Sequence, residues 1–425
     1  MSTTQFPELL DLPTEKIVNA VGTPTFVVSD KWLQRQITEF LDFTRELIPE
    51  LGVYYSVKTN DYPPLLREIL RYVNGLEVVS EYELILALEK LNVNPSRIIL
   101  NGPNKNKNEI KMAVDREIYM INIDSLQDAR RIEECANRLK KHVRVGIRLN
   151  LACSSSWHKF GLVPNGQEFQ EVLALLKNST FLDLRGLHHH GGHFTDGSES
   201  ICFLLTSMLQ VWGDLLQKGF CPEIIDIGGG FLPYGGFSTE GKWIYQESVK
   251  NIFWEISEFL KINFPVPPKL VIEPGRALVE GAVAVISKVG NVKYDNNKTW
   301  AYLDIGTSYV GGQHGGKDRV IFVPFYKQLG EEVPEQEVAF CGPMCYATDI
   351  LGVQKFFPFP KEDDITIIGN AGAYTMSLRW HGSQPYPAIV QVNSDSEIAI
   401  HSTRQSVDGI FSFYKVIDTP GNAHL

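Results

Sequence analysis

The sequence has no apolar stretch approaching the ~20 residues that a membrane-crossing helix needs. Its start, MSTTQFPELLDLPTEK, lacks a basic region followed by an apolar one, so no secretory leader is expected. Cysteine is sparse: Cys135, Cys153, Cys202, Cys221, Cys341 and Cys345 are scattered over 425 positions. That is not the spacing of a disulfide framework, and no second pair or nearby histidine completes a zinc pattern around Cys341 and Cys345. A reducing cytoplasm is the expected location. Basic runs are missing as well. The chain sets 40 Lys and Arg against 50 Asp and Glu, a net charge of −10, which argues against a nucleic-acid partner. Internal repeats, low-complexity tracts and proline-rich linkers are also absent.

What is present is an ordinary globular composition, 44% apolar and 21% charged. At roughly 150 residues per domain, the length suits two or three domains or one large barrel with an appendage. Eight apolar runs recur: 53–58, 75–80, 97–102, 119–124, 143–150, 184–190, 223–230 and 269–274. They are rich in Val, Ile and Leu, as strands buried on both faces should be. Between them lie stretches with helical spacing, such as 81–91 and 125–141, the latter with Ser125 as N-cap. Eight strand–helix units in about 230 residues predict an α/β fold, a (β/α)8 TIM barrel. After about residue 285 short strands take over, at 284–289, 300–305, 320–324, 364–369, 388–392 and 397–401, which predicts a C-terminal β-domain. The expected division is an N-terminal extension over 1–22, a barrel over 23–285 and a β-domain over 286–425. The strand-like run 24–29 is a candidate to join the β-domain.

Polar or glycine-rich chemistry ends nearly every barrel run, on the face where barrel active sites lie. Lys58 is either a desolvated amine able to form a Schiff base or a lysine snorkelling at a strand end. Gly228-Gly229-Gly230 suits main-chain binding of a phosphate, or simply a tight turn. Glu273-Pro274-Gly275-Arg276 offers a carboxylate for a protonated ring nitrogen and a guanidinium for an anion, or an ion pair at a turn. His188-His189-His190 leaves three uses open: a metal, stacking on a planar cofactor, or a hydrogen bond inside the barrel. No carboxylate lies close to these histidines in sequence. Cys345, after a Gly-Pro turn, is a possible proton donor or nucleophile, or a small buried apolar residue.

Together these motifs resemble the fold-type III pyridoxal-phosphate decarboxylases, which include the ornithine, arginine and diaminopimelate decarboxylases. The resemblance rests on YYSVKTN, GLEVVSEYEL, Lys159-Phe160-Gly161, GLHHHGGHF, DIGGGF, EPGR, GPMCYATD and GAYT, in order over about residues 20–415. It implies an alanine-racemase-like barrel with a C-terminal β-domain, and pyridoxal 5'-phosphate as cofactor. Lys58 would carry the cofactor, His190 would stack on its ring, and Glu273 would pair with the ring nitrogen. Gly228, Gly229, Gly230, Gly275, Arg276 and Tyr374 would surround the phosphate, and Glu77 and Arg148 would support the site. Cys345 would protonate Cα after CO2 leaves. Cys345 and Asp349 would reach across a head-to-tail homodimer, so that two subunits share each site. No metal is expected.

The departures concern the substrate. His193 replaces the serine that relatives place after the histidine motif, which alters one phosphate contact. Relatives that bind a distal ammonium carry an acid just after the cysteine, where this chain has Tyr346. Ile305 stands where ornithine-type enzymes have an aspartate. A buried ammonium without a carboxylate is costly. Free ornithine, lysine and diaminopimelate are therefore not the expected substrates. The Cys-x-x-x-Asp-x-Leu-Gly pattern and GAYTMSLRWHG resemble decarboxylases of specialised metabolism. One of these, in butirosin biosynthesis, acts on a glutamyl group attached to a carrier protein. The expectation is thus decarboxylation of an amino acid, or of an amino-acid moiety linked to a carrier, nucleotide or peptide. The alternatives are a diaminopimelate- or ornithine-type decarboxylase of free amino acids, an amino-acid racemase, and a non-catalytic regulator.

Overall fold

The computed structural model describes residues 12–151, 158–192, 198–233, 246–295, 298–310, 321–322, 337–355 and 360–412. Eight parallel strands close into a barrel: β2 (Gly52–Ser56), β3 (Gly75–Val78), β4 (Ile98–Leu100), β5 (Met120–Ile123), β6 (Val143–Arg148), β7 (Leu182–His188), β8 (Ile224–Asp226) and β9 (Lys269–Ile272), with β9 pairing back to β2. All eight expected runs are these strands, each shorter at its C-terminal end. The trimmed residues, Lys58 among them, form the turns of the barrel mouth.

Strand alternation separates two environments. One set of side chains, including Val53, Tyr55, Leu76, Val78, Ile121 and Ile147, packs outward in the main apolar cluster. The other set points inward. Its lower tier is apolar: Tyr54, Ile99, Met120, Ile224 and Val271 cluster together. Two residues further along the chain stand Ser56, Asn122 and Asp226 on their strands and Asn101 and Glu273 just past the ends of theirs, joined by Glu77 of β3 and His188 of β7, all buried. The barrel is thus plugged by hydrocarbon below and floored by polar groups above.

The helix expected over 125–141 spans Leu126–Leu139, and the Ser125 hydroxyl accepts the Asp128 N–H at 3.1 Å. The one expected over 81–91 is an α-helix at Glu81–Ile85 that widens into a π-turn at Leu86–Lys90. No described helix is long and apolar enough to cross a membrane.

The described part of the second sheet has nine strands. These are β1 (Thr25–Ser29), β10 (Val283–Asp295), β11 (Lys298–Leu303), β12 (Ile321–Phe322), β13 (Glu337–Cys341), β14 (Ile350–Lys355), β15 (Ile365–Ile368), β16 (Ala388–Val392) and β17 (Ile398–Ser402). The N-terminal strand β1 lies between β10, antiparallel, and β16, parallel. Strands β13 and β14 were not expected. They flank the Cys345 turn, and β13 is held by parallel pairing to β11, a contact far away in sequence. Part of the expected strand 320–324 lies outside the described residues.

Candidate active site

A cavity of about 460 Å³ opens at the C-terminal ends of the barrel strands, a size suited to a cofactor with a small substrate. Lys58 stands in a short 3-10 turn, Val57–Thr59, directly after β2. Its Nζ donates to Ser56 Oγ at 2.7 Å and lies 2.9 Å from Glu77 Oε2. Burial alone would lower the ammonium, but Glu77, Tyr374 and Glu273 outweigh it and push its pKa above the usual lysine range. The 41% of its side chain that is exposed lines the cavity, so protein and cavity surround the charge together.

A continuous polar network runs from this lysine across the barrel floor. Ser56 Oγ donates to Glu77 Oε2 at 2.6 Å. The Asn101 amide bridges two acids, donating to Glu77 Oε1 at 3.0 Å and Glu273 Oε1 at 2.8 Å. Asn122 Nδ2 donates to Asn101 Oδ1 at 2.7 Å and fixes which way that amide points. His188 Nε2 lies 3.2 Å from Glu273 Oε2. Burial would raise the Glu273 carboxyl, but His188, Lys58 and Asn101 overcome it and hold the group ionised.

The three histidines separate. His188 serves the floor. His189 turns away, Nδ1 to the Leu149 carbonyl at 2.9 Å, and burial lowers its pKa to about 4. His190 lines the cavity and accepts the Gly229 N–H at Nδ1, 3.2 Å. Burial, with Lys58 and Arg148 nearby, keeps it neutral, and the proton is therefore on Nε2. The absence of a neighbouring carboxylate in sequence was misleading. β8 and β9 bring Asp226 and Glu273 within 4.8 Å of His188.

The glycine turn is only partly what its sequence promised. Gly228 and Gly230 have φ of +68° and +101°, a backbone that favours glycine. Gly229 and Gly230 line the cavity with Gly275, Arg276 and Tyr374. Gly228 does not: its N–H turns inward to Asp226 Oδ1 at 2.9 Å. Arg276 pairs with Glu280 and lies 5.4 Å from the Tyr374 ring. Arg148 stacks 4.3 Å over the Phe160 ring beside Asp124, whose Oδ1 accepts the Gly161 N–H at 2.9 Å. The Lys159-Phe160-Gly161 tripeptide therefore seats this arginine. His193 lies outside the described residues.

The remaining candidates, Cys345, Tyr346, Asp349 and Ile305, are in the β-domain and do not line this cavity. Cys345 is exposed, as is Tyr346, whose ring meets Trp380 edge-on at 6.1 Å. Ile305 is buried in the main apolar cluster. Asp349 is also buried. Its carboxylate accepts Thr307 N–H at 2.7 Å, Thr307 Oγ1 at 2.9 Å and Met344 N–H at 2.9 Å. A Cβ on Gly342 would collide with it. Within one chain, Asp349 thus braces the cysteine loop and Ile305 packs in the apolar core. Asn101, Ser56 and Asp226 were not assigned roles from sequence. Each is a polar residue at or inside an apolar strand, and that was the signal available.

These groups fit pyridoxal phosphate. Main chain without side chains and a guanidinium line one cavity with a lysine amine, a flat neutral imidazole and an ionised, buried carboxylate. A model of the family "Pyridoxal-dependent decarboxylase, pyridoxal binding domain" matches residues 34–280. Diaminopimelate decarboxylase of Aquifex aeolicus is 26% identical, over 93% of this chain and 92% of the relative. The L-glutamyl-[BtrI acyl-carrier protein] decarboxylase of Niallia circulans is also 26% identical, over 84% and 85%. The crystal structure of diaminopimelate decarboxylase from Helicobacter pylori, complexed with L-lysine, shares the fold with a TM-score of 0.81 at 21% identity, covering 94% of this chain and 98% of that one. With the family model spanning more than half of its length, the chain belongs to the pyridoxal-dependent decarboxylases.

Proposed function

We propose that this decarboxylase acts on an amino acid whose distal end carries no ammonium, held on a larger molecule such as a carrier protein. The observation that carries this reading is the cysteine loop. The acid nearest Cys345, Asp349, has its carboxylate occupied by three donors of its own chain. The residue beside the cysteine is the aromatic Tyr346, and Ile305 puts hydrocarbon where an acid would be needed. A cationic side chain would meet no free carboxylate from these positions, and an unpaired buried charge is costly. Relatives named for free diaminopimelate and for a carrier-bound glutamyl group are equally identical to this chain, so identity does not choose between them. The family assignment favours decarboxylation over the racemase and regulator alternatives.

Bound pyridoxal phosphate supplies an electron sink that lets the Cα–carboxylate bond break. The chain's own residues do the rest. Lys58 would present the amine that holds the cofactor. Glu273 would favour a proton on the cofactor's ring nitrogen. His190 would pack against the ring, and Gly229, Gly230, Arg276 and Tyr374 would hold the phosphate. Cys345 donates the proton that replaces CO2 at Cα.

Cys345 does this from a second subunit. Leu378 at the cavity rim, Trp380, Tyr346, Ile350 and Val353 are exposed apolar side chains, and Trp380 meets Tyr346 edge-on. Burying them against another copy of the chain, in a head-to-tail homodimer whose sites are shared, fits this reading. A cytoplasmic location belongs to the same reading, since the cysteines with described structure are free thiols.

The test is a screen of purified enzyme with mass detection of CO2 loss. It compares free ornithine, lysine, diaminopimelate and glutamate with glutamyl groups on a carrier protein. Turnover of the carrier-linked substrate well above the cationic amino acids is expected. Efficient turnover of free diaminopimelate would overturn the assignment.

A further inference from the structure

Asp226, at the end of β8, is fully buried, and the chemistry above does not use it. Its Oδ1 accepts the Gly228 N–H at 2.9 Å. Its Oδ2 is buried with no hydrogen-bond partner among the described residues. One atom each of Asp226, Glu273 and His188 falls within a span of 4.8 Å. Glu273 already accepts from Asn101 at one oxygen and pairs with His188 at the other. The other titratable groups facing Asp226 are Glu77 of β3, Arg148 of β6 and Tyr54 of β2.

Two carboxylates this close in a dry interior cannot both ionise, because repulsion and desolvation fall together on the second charge. A single proton between them removes that charge and gives Asp226 Oδ2 the hydrogen bond it lacks. We infer that Asp226 is a positioning residue that remains a neutral carboxylic acid and donates its O–H to Glu273, linking the glycine turn to the acid of the barrel floor. Burial and the Glu273 charge push the Asp226 carboxyl well above the usual range, the direction this arrangement requires. The same three side chains have the spacing of a metal set. An ion would have to break the His188–Glu273 hydrogen bond, whereas a proton leaves it intact.

One negative charge then remains, on Glu273, so that carboxylate can face a cofactor ring as an anion. This consequence rests on the role proposed for Glu273, but the shared proton does not. Gly228 gains a reason for facing inward: its N–H fixes the orientation of Asp226, so the phosphate side and the ring-nitrogen side of the site are set by one hydrogen-bonded chain.

Infrared spectra of cofactor-free protein, with 13C in the aspartate side-chain carboxyls, test this directly. A protonated-acid C=O band that shifts with the label is expected at pH 7 and should vanish in Asp226→Asn. Asparagine keeps a donor for Glu273 and an acceptor for Gly228, so its pyridoxal phosphate affinity, measured by equilibrium dialysis, should stay within about threefold of wild type. Asp226→Val strands both neighbours and should weaken binding about tenfold or more. No labelled acid band, a band that persists in Asp226→Asn, or wild-type affinity in Asp226→Val would overturn the inference. So would stoichiometric uptake of zinc alone that Asp226→Asn abolishes. If the asparagine variant does not fold, the labelled wild-type band at pH 7 decides alone. The substrate screen can fail while the band is present, so the two readings fail separately.

Discussion

The barrel floor and the cysteine loop treat their acids in opposite ways. On the floor, Glu77 and Glu273 are buried but line the cavity, each bound on one side by Asn101 and presented to Lys58 or His188 on the other. In the loop, Asp349 is closed on its own chain by three donors, while the Cys345 thiol, the proposed proton donor, is exposed. One region presents its acids to a cavity. The other encloses its acid and leaves its thiol at the surface. An acid's place beside a cysteine in sequence is therefore no guide to whether its carboxylate is left free by its own chain.

The sharpest way to break this contrast is Lys58→Ala. Turnover should fall about 10³-fold or more, and mass spectrometry should find no cofactor fixed to the chain after borohydride treatment. Fixed cofactor in the variant would remove Lys58 from its role. Cys345→Ala should lower kcat about 10²-fold while cofactor affinity stays unchanged. An unaltered rate and product would take the thiol out of the reaction. Asp349→Ala should leave cofactor affinity in place but reduce unfolding free energy by about 3 kcal/mol in urea titrations, since buried donors lose their acceptor. If affinity collapses instead, the loop and the floor are not separate structures.

The smallest effect concerns Glu83, behind the floor. Burial, with the Glu77 charge adding to it, raises its carboxyl from 4.5 to about 7. The folded chain then holds a proton that the unfolded chain releases near pH 4.5. The stability this gives is complete below that pH and is lost as pH rises to about 7. Across that window wild type should lose roughly 2–3 kcal/mol more than Glu83→Gln. Parallel pH profiles of the two proteins would count against the buried acid.

Much of the barrel was legible because strands buried on both faces leave continuous apolar runs, and 269–274 or 97–102 could hardly be anything else. The mouth was legible because Lys58, Glu273 and the glycines interrupt those runs. What escaped was everything decided by the neighbour across the barrel. Asn101 was visible as a polar strand end, yet nothing near it in sequence points to Glu273, 172 positions away. Gly228 looked like its two neighbours until Asp226 claimed its N–H. Strand β13 escaped because its partners, β11 and β14, are chosen by the sheet and not by the five residues themselves.

The short segment after β15 has a consequence for how such enzymes can be recombined. The Tyr374 N–H donates to the Thr59 carbonyl at 2.8 Å, Ser377 Oγ to the Lys58 carbonyl at 2.9 Å, and the Asn60 amide to the Gly372 carbonyl at 2.9 Å. The peptide that carries the key lysine is thus gripped by the other half of the chain. Grafting this barrel onto a foreign β-domain would loosen that lysine unless the graft also carried residues 371–377 with their mates at 58–60. The unit of exchange is this clasp, not the barrel.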